Sequence, residues 1–193
     1  MIEKGTILSL PTIGFVVGSL RKNSFNRSLA EKAQELLEGR ANVTYIEFDG
    51  LPFVNQDEEF PTPAVVANVR EQVGAVDALW VFTPQYNAQM PAQVKNFFDW
   101  LSRPTTPNGS MQETVVRGMP VTASGASGPA ATAEARAAVN DLTAFIGMNV
   151  MTDGQAGFVL PGEAWAEGSW TVSDEDAKVL GAQVDAFLAF IGK

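Results

Sequence analysis

Apolar residues fall along this chain in two alternating rhythms. Short, nearly continuous apolar runs occupy Thr12–Val17, Val43–Phe48, Ala78–Thr83 and Pro120–Ala123, with a weaker run at Asn149–Thr152. Runs of this kind read as parallel strands covered on both faces. Between them the period changes to that of a helix. Leu29, Ala33, Leu36 and Leu37 share one stripe, closed by Gly39. Val66, Val69 and Val73 make a shorter stripe, and Val94, Phe97, Phe98 and Leu101 follow at i, i+3, i+4, i+7. Ala135, Ala138, Val139, Leu142, Phe145 and Ile146 give the clearest stripe. A last helix carries Leu180, Val184, Phe187, Leu188 and Ile191, opened by the cap Ser173 and the acidic turn Asp174-Glu175-Asp176.

Strand and helix therefore alternate from end to end, which predicts a parallel sheet with helices on both faces. Right-handed crossovers leave few arrangements. The expected one is a three-layer α/β sandwich with a five-stranded parallel sheet of order 2-1-3-4-5, its ligand site at the carboxyl ends of strands 1 and 3. No repeat or linker divides the chain, so 1–193 reads as a single domain. The polar stretch Pro104–Gln112 and the stretch Gly154–Ser169 read as long loops.

Composition removes several kinds of chemistry. The chain has neither cysteine nor histidine. Disulfides, thiolate nucleophiles and a Ser-His-Asp triad are excluded, and zinc loses its commonest ligands. No metal site and no catalytic acid, base or nucleophile is assigned. A net charge of −9 argues against nucleic acid as a partner. The apolar stretch Thr6–Val17 is broken by Pro11 and reads as a strand, not a signal peptide. No run approaches the roughly 20 apolar residues of a membrane span. A cytoplasmic protein without membrane attachment is the expectation.

Candidate chemistry sits where strands give way to helices. Ser19-x-Arg21-x-x-Ser24-x-Asn26 follows the first strand and opens the first helix. A helix N-terminus offers free amides and a favourable dipole to a phosphate. Ser19, Ser24 and Asn26 add side-chain donors, and Arg21 adds charge-assisted ones. Read alone, Ser24 is equally an ordinary helix cap. The nucleoside-triphosphatase loop and the Gly-x-Gly-x-x-Gly fingerprint are both missing. Thr83-Pro84-Gln85-Tyr86-Asn87-Ala88-Gln89-Met90-Pro91 follows the third strand. It reads either as the second half of one ligand site or as a Pro/Asn turn. Ser124-Gly125-Ala126-Ser127-Gly128-Pro129 follows the fourth, where small residues admit a ligand or simply start a helix.

The run Gly18-Ser19-Leu20-Arg21-Lys22-Asn23-Ser24-Phe25-Asn26 resembles the phosphate loop of the NAD(P)H-dependent FMN reductase family. Thr83-Pro84-Gln85-Tyr86-Asn87, with Pro91, Lys95-Asn96, Asp99-Trp100 and Ser102-Arg103, is similar to that family's second signature, and Gly125-Ala126-Ser127 to its third. The resemblance implies a flavodoxin-like fold, bound FMN, NAD(P)H as reductant and a small acceptor such as a quinone, azo dye, metal oxyanion or free flavin. It implies that Ser19, Arg21, Ser24 and Asn26 hold the phosphate, with Phe25 in the same loop. Pro84, Gln85, Tyr86 and Asn87 would line the flavin ring, with Gly125 and Ser127 nearby. It also implies a homodimer or homotetramer. Gln85 departs from the family, which commonly has Glu there.

A flavin carries the redox chemistry itself, which suits a chain without histidine or cysteine. The expected cycle is ping-pong, with nicotinamide and acceptor using one place in turn. The rival reading is an electron-transfer protein serving a protein partner; a second is a flavin-free scaffold. Trp165 and Trp170 either cover the site or anchor the late loop to the core. Phe97 and Phe98 read as core, Trp100 as facing a partner helix, and Asp57, Glu58 and Glu59 as a solvated loop.

Overall fold

A computed structural model describes residues 9–192; Thr6, Ile7 and Leu8 of the first apolar stretch lie outside them. Along the chain run β1 (Thr12–Val17), α1 (Phe25–Leu37), β2 (Asn42–Tyr45), α2 (Ala64–Gly74), β3 (Ala78–Phe82), α3 (Ala92–Leu101), β4 (Pro120–Ser127), α4 (Ala133–Phe145), β5 (Asn149–Val150), β6 (Gly157–Val159), α5 (Gly162–Glu167) and α6 (Asp174–Ile191). The sheet order is β2-β1-β3-β4-β5, all parallel, with β6 also on β4. This is the flavodoxin-like order that the alternation of strands and helices predicts.

The central strands sort their residues by parity, as the pleat requires. Ile13, Phe15, Val17, Trp80 and Phe82 face α1 and α6, meeting Leu29, Ala33, Leu37, Leu180, Val184 and Phe187. Val16, Leu79, Val81, Val121 and Ala123 face α2, α3 and α4, meeting Val69, Val73, Phe97, Phe98 and Val139. Two apolar layers therefore sandwich the sheet, and only its carboxyl rim is left for chemistry.

Four departures from the sequence reading have physical causes. First, β4 runs on to Ser127, and Gly154–Ser169 is no plain loop but contains β6 and α5. β5 pairs with Pro120 and Val121, whereas β6 pairs with Gly125 to Ser127. Gln183 of α6 fills the gap between them. Its Nε2 donates to Thr122 Oγ1 and Ala123 O, and its Oε1 accepts from Ser124 Oγ and from the Ala156 amide. Two short stubs thus replace one long edge strand; the first shows in the sequence only as the weaker run Asn149–Thr152, and the second has too few apolar residues to stand out. Second, Glu59 is buried and gripped by Arg103 through two bonds, Nε at 2.9 Å and Nη2 at 2.8 Å. Third, Trp100 is core: its indole N–H donates to Pro52 O at 2.7 Å, alongside Asn96 Nδ2 at 2.9 Å. The tail of the second signature therefore moors the chain that follows β2. Fourth, Phe145 lies at the last turn of α4 and is 88% exposed, off the stripe that buries Val139.

Candidate functional site

The three strand-to-helix loops singled out in the sequence meet at the carboxyl rim. Gly18, directly after β1, donates its amide to Phe82 O at 2.8 Å and accepts from Gln93 Nε2 at 2.7 Å. A Cβ at Gly18 would fall 2.8 Å from Val94 Cγ2 and 3.3 Å from Pro84 Cδ, so only glycine lets the first loop press against the second. The second loop touches the third through Thr83, whose amide donates to Ser124 O at 2.8 Å. A Cβ at Gly125 would stand 2.1 Å from Thr83 O. Gly125 is thus demanded by the neighbouring strand end.

The first loop keeps most of its donors free. Among the described residues, no backbone carbonyl receives the amides of Ser19 to Ser24. These amides sit at the N-terminus of α1, where the helix dipole favours an anion. Ser24 is the N-cap, its Oγ accepting from Arg27 N at 3.3 Å, and it is 2% exposed. Its hydroxyl proton is left to donate. Asn26 pairs with the fourth strand: Oδ1 accepts from Ala126 N at 2.9 Å and Nδ2 donates to Ala126 O at 3.1 Å. Its amide stitches α1 to β4, and one of its two Nδ2 hydrogens remains unused. Arg21 lies with its guanidinium carbon 4.3 Å from the Phe25 ring centroid.

The second loop is a miniature hairpin. Tyr86 and Gln89 exchange both backbone bonds at 3.0 Å, and Asn87 and Ala88 form its tip with φ of 52° and 60°. This is the two-residue turn that favours positive φ. It projects Tyr86 and Asn87 into solvent, Tyr86 being 49% exposed. Pro84 is buried behind them. Gln85 Oε1 accepts from Ala135 N at 3.3 Å. That bond serves α4, whose own N-cap Thr132 makes no side-chain cap. In the third loop Ser127 Oγ accepts from Thr132 N at 2.9 Å, bracing a turn in which Ala131 and Thr132 are left-handed. Arg136 supports the same turn through Thr132 Oγ1 and Gln155 O, and burial pushes its guanidinium below its ordinary value. Gln93 and Arg136 had no sequence signal, because Gln93 acts through one bond to distant backbone and Arg136 through a hydroxyl one turn away and a distant carbonyl.

A cleft of about 580 Å³ opens beside the first loop, toward β2. Ser19, Arg21, Lys22 and Arg27 line one side, Tyr45, Glu47 and Asp49 the other, with Phe15 and Val17 beneath. Arg27 stacks on Tyr45 at 4.3 Å. Burial raises the Tyr45 phenol above its ordinary value, the facing Arg27 charge opposing it. Pro84 to Asn87 do not line this cleft, so the loops implied to hold a flavin ring lie on the other side of β1 from it. Among the described residues no group of acidic side chains is gathered as a metal would need, and no helix is long and apolar enough to cross a membrane.

Comparison with known proteins agrees with this arrangement. The chain is 30% identical over 181 residues to a 2-hydroxy-1,4-benzoquinone reductase from Burkholderia sp, covering 93% of this chain and 95% of the relative. An NAD(P)H-dependent FMN reductase from Pseudomonas aeruginosa is 37% identical over 90 residues, 46% of this chain and 49% of its own. Among solved structures, the flavoenzyme NAD(P)H:(acceptor) oxidoreductase FerB from Paracoccus denitrificans superposes with a TM-score of 0.83 at 32% identity, covering 95% of this chain and 98% of that one. An archaeal flavodoxin, at 16% identity and a TM-score of 0.60, shares the fold alone. The model of one family, described as NADPH-dependent FMN reductase, matches residues 11–160. With that match and the full-length similarity to the Burkholderia relative, the chain belongs to the NADPH-dependent FMN reductase family of oxidoreductases.

Proposed function

We propose that this chain uses bound FMN to pass electrons from NADH or NADPH to a small quinone-like acceptor, the two partners taking turns at one place. The observation that carries this reading is the turn Ser19 to Ser24, whose amides find no backbone partner among the described residues. A dianionic phosphate fits such a donor set, and Arg21 adds a cation at the same turn. Bound FMN supplies the two-electron chemistry.

The residues around it have separable tasks. Ser19, Ser24 and the turn amides hold the phosphate, with Arg21 neutralising it. Phe25 backs the Arg21 guanidinium. Asn26 fixes the spacing between α1 and β4 by its two bonds to Ala126. Pro84, Gln85, Tyr86 and Asn87 wall the ring, and Gly125 and Ser127 set the facing loop. No side chain is asked to move a proton. Phe53 and Phe145, 80% and 88% exposed, supply apolar area that a homodimer or homotetramer would cover; sedimentation of the purified protein measures that state.

The relatives named quinone reductases support the acceptor class, one of them 2-hydroxy-1,4-benzoquinone reductase. Steady-state kinetics with FMN-loaded protein, NADH or NADPH and a quinone panel tests the cycle. Parallel double-reciprocal lines are expected. Intersecting lines would overturn the shared place, and a flavin that stays coloured when mixed anaerobically with nicotinamide would overturn the reductase reading.

A further inference from the structure

Arg21 is held by one residue far from its own loop and by the nearby Phe25 ring, which a second distant residue supports. Its Nη1 donates to Gly168 O at 2.8 Å, across 147 positions of sequence. Its guanidinium lies over Phe25, and Trp165 meets that same ring edge-on, centroids 5.3 Å apart at 77°. Both partners belong to α5 and its C-cap. Gly168 closes α5 in the left-handed region, φ 68°, with its amide returned to Ala164 O at 2.9 Å. Ala164, Leu160 and Trp170 are buried in the core against Phe158, Val172 and their neighbours, so α5 is a fixed support.

We infer that Trp165 and Gly168 are positioning residues for Arg21, making α5 the outer wall of the phosphate site. The inference rests on the proposed FMN phosphate site. A free arginine surrenders much rotamer freedom when it grips an anion. Here the bond to Gly168 takes one of the five guanidinium donors, and the ring of Phe25 fixes the plane. The remaining donors are left for phosphate oxygens, and the ordering cost is met before the ligand arrives. Trp165 contributes by buttressing Phe25. This explains an indole that is 56% exposed yet packed edge-on against the loop.

Flavin-free protein titrated with FMN and with riboflavin, read by flavin fluorescence, tests this, because riboflavin lacks the phosphate. In Trp165→Ala the Kd for FMN should rise about fivefold, while that for riboflavin stays within about twofold. Trp165→Phe, which keeps an aromatic edge, should hold FMN within about twofold of the parent. In an Arg21→Ala background, Trp165→Ala should add almost nothing. Equal losses for both flavins, an unchanged FMN affinity in Trp165→Ala, a Trp165→Phe as weak as Trp165→Ala, or full additivity with Arg21→Ala would each overturn the inference alone. A parent protein that binds neither flavin would overturn the cofactor reading together with it.

Discussion

The side-chain oxygen of Gln183 accepts the hydroxyl proton of Ser124 at 2.7 Å, deep between α6 and β4. Ser124 in turn accepts from Trp80 Nε1 at 2.9 Å, so one chain of bonds crosses the middle of the sheet. Every polar atom of Gln183 is used, and the residue is wholly buried. Gln183→Leu leaves the Ser124 hydroxyl, the Ala156 amide and the Ala123 carbonyl without this partner. Buried groups stranded in this way cost about 1–3 kcal/mol each, with part recovered by relaxation. The expected loss is about 3 kcal/mol of unfolding free energy, measured by urea titration. A loss below about 1 kcal/mol would show that water replaces the amide.

The Glu59–Arg103 pair gives a second expectation. Both bonds are short, and the side chains are 8% and 24% exposed. The hydrogen bonds that Arg103 donates to Glu59 raise its guanidinium above its ordinary value, and burial lowers Arg70 beside it. Glu59→Gln leaves two guanidinium groups without their counter-charge. The cost should be about 2 kcal/mol, below that of a fully buried pair because Arg103 meets water. Thermal unfolding at two salt concentrations checks it.

Ala88 holds a left-handed φ of 60° at the tip of the Tyr86–Gln89 hairpin. A residue with a Cβ pays about 1 kcal/mol for that conformation, partly offset by its smaller unfolded-state freedom. Ala88→Gly should therefore stabilise the protein by about 0.5 kcal/mol, read as a raised Tm. An unchanged or lower Tm would show that the tip carries no such strain.

Tyr45 sets a pH dependence. Burial raises its phenol above 10.0, the pull of Arg27 notwithstanding, so the neutral form is favoured in the folded state. The associated stability is complete below the unfolded value and is lost as pH rises through the folded one. Unfolding free energy should fall above about pH 10, and Tyr45→Phe should flatten that part of the curve. Near neutrality the replacement should cost under about 0.5 kcal/mol, since among the described residues no group meets the buried hydroxyl at hydrogen-bond geometry. Phenolate absorbance during alkaline titration identifies the group.

The sequence was legible where periodicity was strong. Val94, Phe97, Phe98 and Leu101 declare α3 because all four go to one side of the sheet. Thr12–Val17 declares β1 because both its faces are buried. β6 and α5 escaped because each is stabilised by tertiary partners such as Gln183 and Trp170, not by a pattern of its own. In the rim, Ser24 was recognisable as a cap, whereas the steric need for Gly18 came only from its packing against Val94 and Pro84. Nor was the pairing of Asn26 legible, since its partner Ala126 is a hundred positions away and offers only backbone. Glu59 looked like a solvated acid because nothing local reveals that Arg103 will reach it.

The division of the outer edge into β5 and β6 has a bearing on solubility. An intruding strand needs an unbroken row of backbone donors and acceptors to extend a sheet. On this flank it would meet a two-residue segment, a glutamine-filled notch and a three-residue segment. Neither stub is long enough to template growth, so this margin of the sheet is guarded against fibril-like stacking by its own interruption.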